Sequence, residues 1–144
     1  MTIIVADTTC GLPRDILTQR GIPVIPQIVM FGEESYHDDK DFDTTIFLQK
    51  LKASATLPKT SAPEPSLYFP IFEAAQKKGE SVVVVAPTSK ASGTVRSAQT
   101  AAQEFPATGE GQCYSANGSS AEYVRLPAGR ESACSIPSLP RLHS

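Results

Sequence analysis

Ser81-Val82-Val83-Val84-Val85-Ala86, followed by Thr88-Ser89-Lys90-Ala91-Ser92-Gly93-Thr94 and then by a segment carrying Val95, Ala98, Ala102 and Phe105, decides the fold. Four consecutive β-branched residues form the strongest strand signal in the chain. The hydroxyl- and glycine-rich turn that follows cannot continue a strand. Beyond it the apolar residues recur at helical spacing. A strand, a turn and a helix in that order form half of a parallel α/β unit.

The same alternation extends outward. Thr2 to Ala6 is a short β-branched strand, and Asp7-Thr8-Thr9-Cys10-Gly11 is the turn behind it. Pro13 stands where the first turn of a helix tolerates proline, Ile16 and Leu17 give that helix its apolar side, and Gly21 ends it. Ile22 to Met30 is apolar, but Pro23 and Pro26 remove ladder donors, so an edge strand or irregular extended segment is expected. Phe31 to Tyr36 reads as a hairpin turn leading into a short strand, and Asp43 as the N-cap of a helix carrying Ile46, Phe47 and Leu51. A loop from Leu57 to Pro63 precedes a third helix, opened by Pro65 and Ser66, lined by Tyr68, Phe72 and Ala75 and closed by Gly79. The expected fold class is α/β, a mainly parallel sheet flanked by helices over residues 1–106.

From Ala107 the pattern stops. Half of the 38 residues to Ser144 are Gly, Ser, Pro or Ala, and no helical or strand period survives. Such a segment buries too little apolar surface to offset the entropy of ordering, so residues 107–144 are expected to be a disordered or aberrant tail, arising from a frameshift, a mispredicted gene end or a natural linker.

Bulk properties narrow the function classes. The 144 residues include 13 Lys and Arg against 15 Asp and Glu, a net charge of −2 with no basic run, which argues against nucleic-acid binding. The longest apolar stretch is far too short to span a bilayer, and the N-terminus meets Asp7 before any signal-peptide pattern develops, so the cytoplasm is the expected location. Cys10, Cys113 and Cys134 form no CxxC, and only His37 and His143 are present, so neither a metal site nor a cofactor is expected. The charged run His37 to Asp41 reads as a solvated loop, and the Asn117-Gly118-Ser119 sequon has no meaning without a secretory route.

Three loops can carry chemistry: Asp7 to Leu12, Lys59 to Pro65, and Thr88 to Thr94. The first and third follow strands and precede helices, and in open α/β sheets such loops gather where ligands bind. Ser92-Gly93-Thr94 sets a hydroxyl and free amides at a helix N-terminus, a receptor for an anion; the plain alternative is a Ser N-cap. Thr60 and Ser61 are adjacent hydroxyls able to hold a carboxylate or phosphate, or simply to cap the next helix. Asp7 has no second carboxylate at ligand spacing and reads as structural. The aromatic stripe of Tyr68, Phe69 and Phe72 is core, or the lining of an acyl tunnel.

Together these blocks resemble the DegV family. Asp7-Thr8-Thr9-Cys10-Gly11-Leu12-Pro13 is similar to the family's opening segment, and Gly21 to Pro26 with Phe31 to Asp38 to its next block. Thr60-Ser61-Ala62-Pro63 is similar to its Thr-Ser-Gln-Pro loop with Ala62 in place of Gln, and Thr88 to Thr94 to its Ser-Gly-Thr turn. The resemblance covers residues 2–106. It implies a non-enzymatic carrier that holds a long-chain fatty acid between two domains and presents the carboxylate to a partner fatty acid kinase. Thr60, Ser61, Ser92 and Gly93 would contact the head group. Nothing from Ala107 onward resembles the family's second domain, so a truncated, inactive form is among the expectations. Two other readings remain: a serine hydrolase using Ser92 or Ser61, which lacks a GxSxG elbow and a nearby histidine, and a phosphate-binding α/β module, which lacks the glycine-rich fingerprints.

Overall fold

A computed structural model describes residues 1–39, 42–105, 112–115 and 121–126, the last two stretches by their backbone. The two β-branched runs pair with each other. Strand β1 (Thr2–Asp7) lies parallel to β6 (Ser81–Pro87), with Ile3 opposite Val82 and Val5 opposite Val84. On its other edge β1 pairs in parallel with the short β2 (Val24–Ile25), so β2-β1-β6 is the expected parallel core.

Because side chains alternate along a strand, Val5, Val82, Val84 and Ala86 all face one side of this core and are buried there. Two helices cover that face: α3 (Phe69–Lys78) with Phe72 and Ala75, and α4 (Thr94–Gln103) with Val95, Ala98, Ala101 and Ala102. The alanines let α4 approach the sheet closely. Helix α3 ends at Gly79, whose φ of +63° is the left-handed conformation a glycine C-cap supplies. The short helix α1 (Arg14–Gln19) follows Pro13 and buries Leu17.

The proline-bearing apolar segment is two strands. Pro26 and Gln27 end β2 and carry the chain into a second sheet, where β3 (Ile28–Phe31) is central between β4 (Glu34–His37) and β5 (Lys59–Ser61), both antiparallel to it. Helix α2 (Thr44–Ala53) starts at Asp43, whose carboxylate accepts from the Thr45 and Ile46 amides at 2.8 and 3.0 Å. Its Ile46, Phe47 and Leu51 pack on Val29, Phe31 and Phe42, with Phe31 and Phe47 rings 5.9 Å apart.

Within the segment expected to be disordered, β7 (Gln112–Ser115) and β8 (Ala121–Leu126) pair antiparallel to each other, and β8 pairs antiparallel to β6, with Val124 opposite Val84. A strand edge presents a row of unpaired amides and carbonyls; β8 occupies that of β6, and β7 lies beyond it. The rest of the tail lies outside the described residues.

Candidate functional site

The first and third loops meet through a buried polar chain that local sequence reading did not single out. Asp7 ends β1 and is 2% exposed. Its Oδ1 accepts from the Thr9 amide at 3.0 Å and from the Thr9 hydroxyl, capping the 3-10 turn Thr8–Cys10, which is the structural role expected for it. Its Oδ2 accepts at 2.8 Å from the side-chain amide of Gln27, a residue 7% exposed in the link between the two sheets. The same Gln27 nitrogen donates at 2.8 Å to the hydroxyl of Thr94, the first residue of α4, which is fully buried. Thr94 Oγ1 in turn lies 2.8 Å from Ser92 Oγ. The Gln27 main-chain amide donates to the Thr8 hydroxyl at 3.1 Å, tying the link to the first loop a second time.

Ser92 is not the N-cap of α4. Gly93 occupies that position without a side-chain bond, and the Ser92 hydroxyl accepts weakly from the Thr94 amide at 3.3 Å. By helix geometry the Val95 and Arg96 amides have no carbonyl within α4 to bond, so their dipoles face the loop. Ser92 is partly exposed beside them.

Thr60 and Ser61 lie on β5, where a loop was expected, opposite Val29 and Ile28 of β3. Consecutive strand residues face opposite sides, so their hydroxyls project from opposite faces of the small sheet and do not clamp one group together. Both residues are exposed. Ala62 follows them and touches the third loop: a Cβ placed on Gly93 would sit 3.2 Å from the Ala62 Cβ. Gly93 has φ −78° and ψ −2°, a conformation open to any residue, so closeness and not backbone freedom is what glycine provides there. The contact brings Thr60-Ser61-Ala62 beside Ser92-Gly93.

Tyr68 and Phe72 are fully buried in the main core, their rings 5.7 Å apart, and Phe69 packs on Phe105 at 5.6 Å. The aromatic stripe is therefore core. The Tyr68 hydroxyl has no hydrogen-bond partner among the described residues. Burial raises its pKa, and the negative charge of Asp7 pushes it the same way.

Elsewhere a cleft of about 290 Å³ lies between β3 and the end of α2, lined by Phe31, Glu34, Lys50 and Thr56 among others. At its rim the Lys50 ammonium bonds Glu34 at 2.9 Å and sits 4.7 Å from the Tyr36 ring centroid. Among the described residues no helix is long and apolar enough to cross a membrane.

The family profile described as "Uncharacterised protein, DegV family" matches residues 1–115. A DegV domain-containing protein of Halalkalibacterium halodurans is 39% identical over 99 residues, which are 68% of this chain and 35% of that protein. The structure of a DegV family protein from Thermus thermophilus, described by its fatty acid binding, superposes with a TM-score of 0.64 at 34% identity, over 73% of this chain and 38% of the other. A stearic acid-binding protein from Eubacterium ventriosum gives a TM-score of 0.64 at 29% identity, over 74% and 38% of the two chains. The chain spans little more than a third of the length of these relatives. With its parallel core, its loop blocks and this match over most of its length, the chain belongs to the DegV family.

Proposed function

We propose that this chain binds a long-chain fatty acid, with the carboxylate held at Ser92-Gly93 and by one hydroxyl of the adjoining Thr60-Ser61 strand end, the other facing away, and that it acts in the cytoplasm as a carrier presenting that carboxylate to a partner fatty acid kinase. The observation that carries this reading is the likeness, at 29% and 34% identity, to two solved proteins described as fatty-acid binders. The chemistry suits it. A partly exposed hydroxyl and helix-terminal amides with no carbonyl partner within α4 match a carboxylate. Apolar enclosure supplies about 0.8 kcal/mol per methylene, so a long acyl chain brings most of the affinity. The chain spans 38% of each of these two proteins, so whole-protein binding is part of the proposal.

A serine hydrolase reading gains no support, because the hydrogen bonds of the Ser92 hydroxyl among the described residues go to Thr94, which is not a base. Calorimetric titration of the delipidated chain with sodium palmitate tests the proposal. Saturable one-to-one binding is expected; heats of dilution alone at micellar-limit concentrations count against it.

A further inference from the structure

We infer that Asp7, Gln27 and Thr94 form a one-way hydrogen-bond chain that fixes Ser92 as a donor, so that the site selects a head group that only accepts. The inference rests on the fatty-acid reading of the same site and names what discriminates there.

The direction follows from donor counting. A carboxylate only accepts, so the Gln27 amide must turn its NH2 toward Asp7 Oδ2. That nitrogen has two protons; one goes to Asp7 and the other to Thr94 Oγ1. Thr94 therefore receives a proton from Gln27 and must give its own elsewhere. It is fully buried, and the acceptor within reach is Ser92 Oγ at 2.8 Å. Ser92 Oγ then takes the Thr94 hydroxyl proton and, more weakly, the Thr94 amide proton. Both of its lone pairs face inward donors. What remains is its own O–H, directed away from Thr94 on the partly exposed side of the loop. The reverse orientation, Ser92 donating to Thr94, strands the Thr94 proton in a site with no water access, at the full cost of an unsatisfied buried donor.

A hydroxyl held in this state meets a carboxylate with a charge-assisted bond. It meets an alcohol or a protonated acid less well, since each brings a proton of its own. Asp7 and Gln27 are then positioning residues: they touch no ligand, and they set which way the last proton points.

Gln27→Glu reverses the chain. The introduced carboxyl keeps its proton, which it gives to the Asp7 carboxylate beside it, and the same group offers Thr94 an acceptor; Thr94 turns its proton inward, and Ser92 donates to Thr94 and becomes an acceptor toward the ligand. Palmitate and hexadecan-1-ol are the two probes. Wild type is expected to favour palmitate, and the variant to lose roughly tenfold or more in palmitate affinity while hexadecanol changes little or gains. A palmitate-to-hexadecanol ratio unchanged by the substitution, whether both affinities fall together or neither moves, overturns the inference. Thr94→Ser keeps the chain and should keep the ratio, and Thr94→Val breaks it, which covers a Gln27→Glu protein that does not fold. If wild type binds neither probe, the fatty-acid reading fails by itself. The proton direction is then decided in the ligand-free chain by NMR: a slowly exchanging Thr94 hydroxyl proton with a fast Ser92 one supports it, and the opposite pattern overturns it.

Discussion

Replacing Gly93 by Ala tests whether the two hydroxyl-bearing loops touch as described. The backbone at Gly93 has φ −78° and ψ −2°, so alanine fits the conformation without strain. Taken alone, that change restricts the unfolded chain and stabilises by about 0.4–1 kcal/mol. Against this stands a 3.2 Å approach between the new Cβ and the Ala62 Cβ, some tenths of an ångström inside ordinary contact. Ala62 has little room to retreat: Ser61 before it is paired to Ile28 in the small sheet, and Pro63 after it is fully buried. Overpacking of this kind costs about 1–3 kcal/mol, so the net expectation is a loss of about 1 kcal/mol. In an Ala62→Gly background the contact is gone, and Gly93→Ala should instead stabilise by about 0.5 kcal/mol. The cycle therefore predicts a change of sign and a coupling near 1.5 kcal/mol, read from urea unfolding midpoints at constant m-value. Equal effects of Gly93→Ala in the two backgrounds, within about 0.5 kcal/mol, would refute the loop contact and with it the shared site.

Two further outcomes follow from the packing and the charges. Tyr68→Phe removes a buried hydroxyl that has no partner among the described residues, so thermal stability should stay level or rise; a loss beyond about 1 kcal/mol contradicts that and reveals a partner. The Glu34 carboxyl is held below its ordinary pKa by the hydrogen bond from Lys50, then by that from Tyr36 and by the Lys50 charge. A depressed carboxyl contributes stability above its unfolded pKa and loses it as pH falls through the folded value. NMR titration of Glu34 should therefore show its midpoint rising in Lys50→Met, and an unmoved midpoint would mean the ion pair is not formed in solution.

The parts of the fold that were legible in the sequence are those set by local pattern. The Val82–Val85 run, the Asp43 cap and the glycine closing α3 each announce themselves within a few residues, because periodicity and capping are short-range effects. Residues 22–30 were legible only as broken by proline; that the break sends the chain from one sheet to another depends on pairing with β1 and with β5, far away in sequence. At the site, Ser92 and Gly93 stood out by composition, as did Thr60 and Ser61. The division of that second pair between two faces did not, because it requires β5 to be a strand, and three polar residues give no strand signal. Gln27 was invisible for a plainer reason. Its partners are 20 and 67 residues away, and a glutamine beside a proline carries no local pattern.

On the proposed reading, a fatty-acid carboxylate sits at the start of α4. The most direct measurement is heteronuclear NMR of the delipidated chain with palmitate carrying 13C at the carboxyl carbon. Saturable shifts centred on the amides of Ser61, Ser92, Gly93 and Val95 are expected, with contacts from those residues to the labelled carbon. Saturable binding with its shifts centred instead on the cleft beside Lys50, or no saturable shift at all, would contradict it.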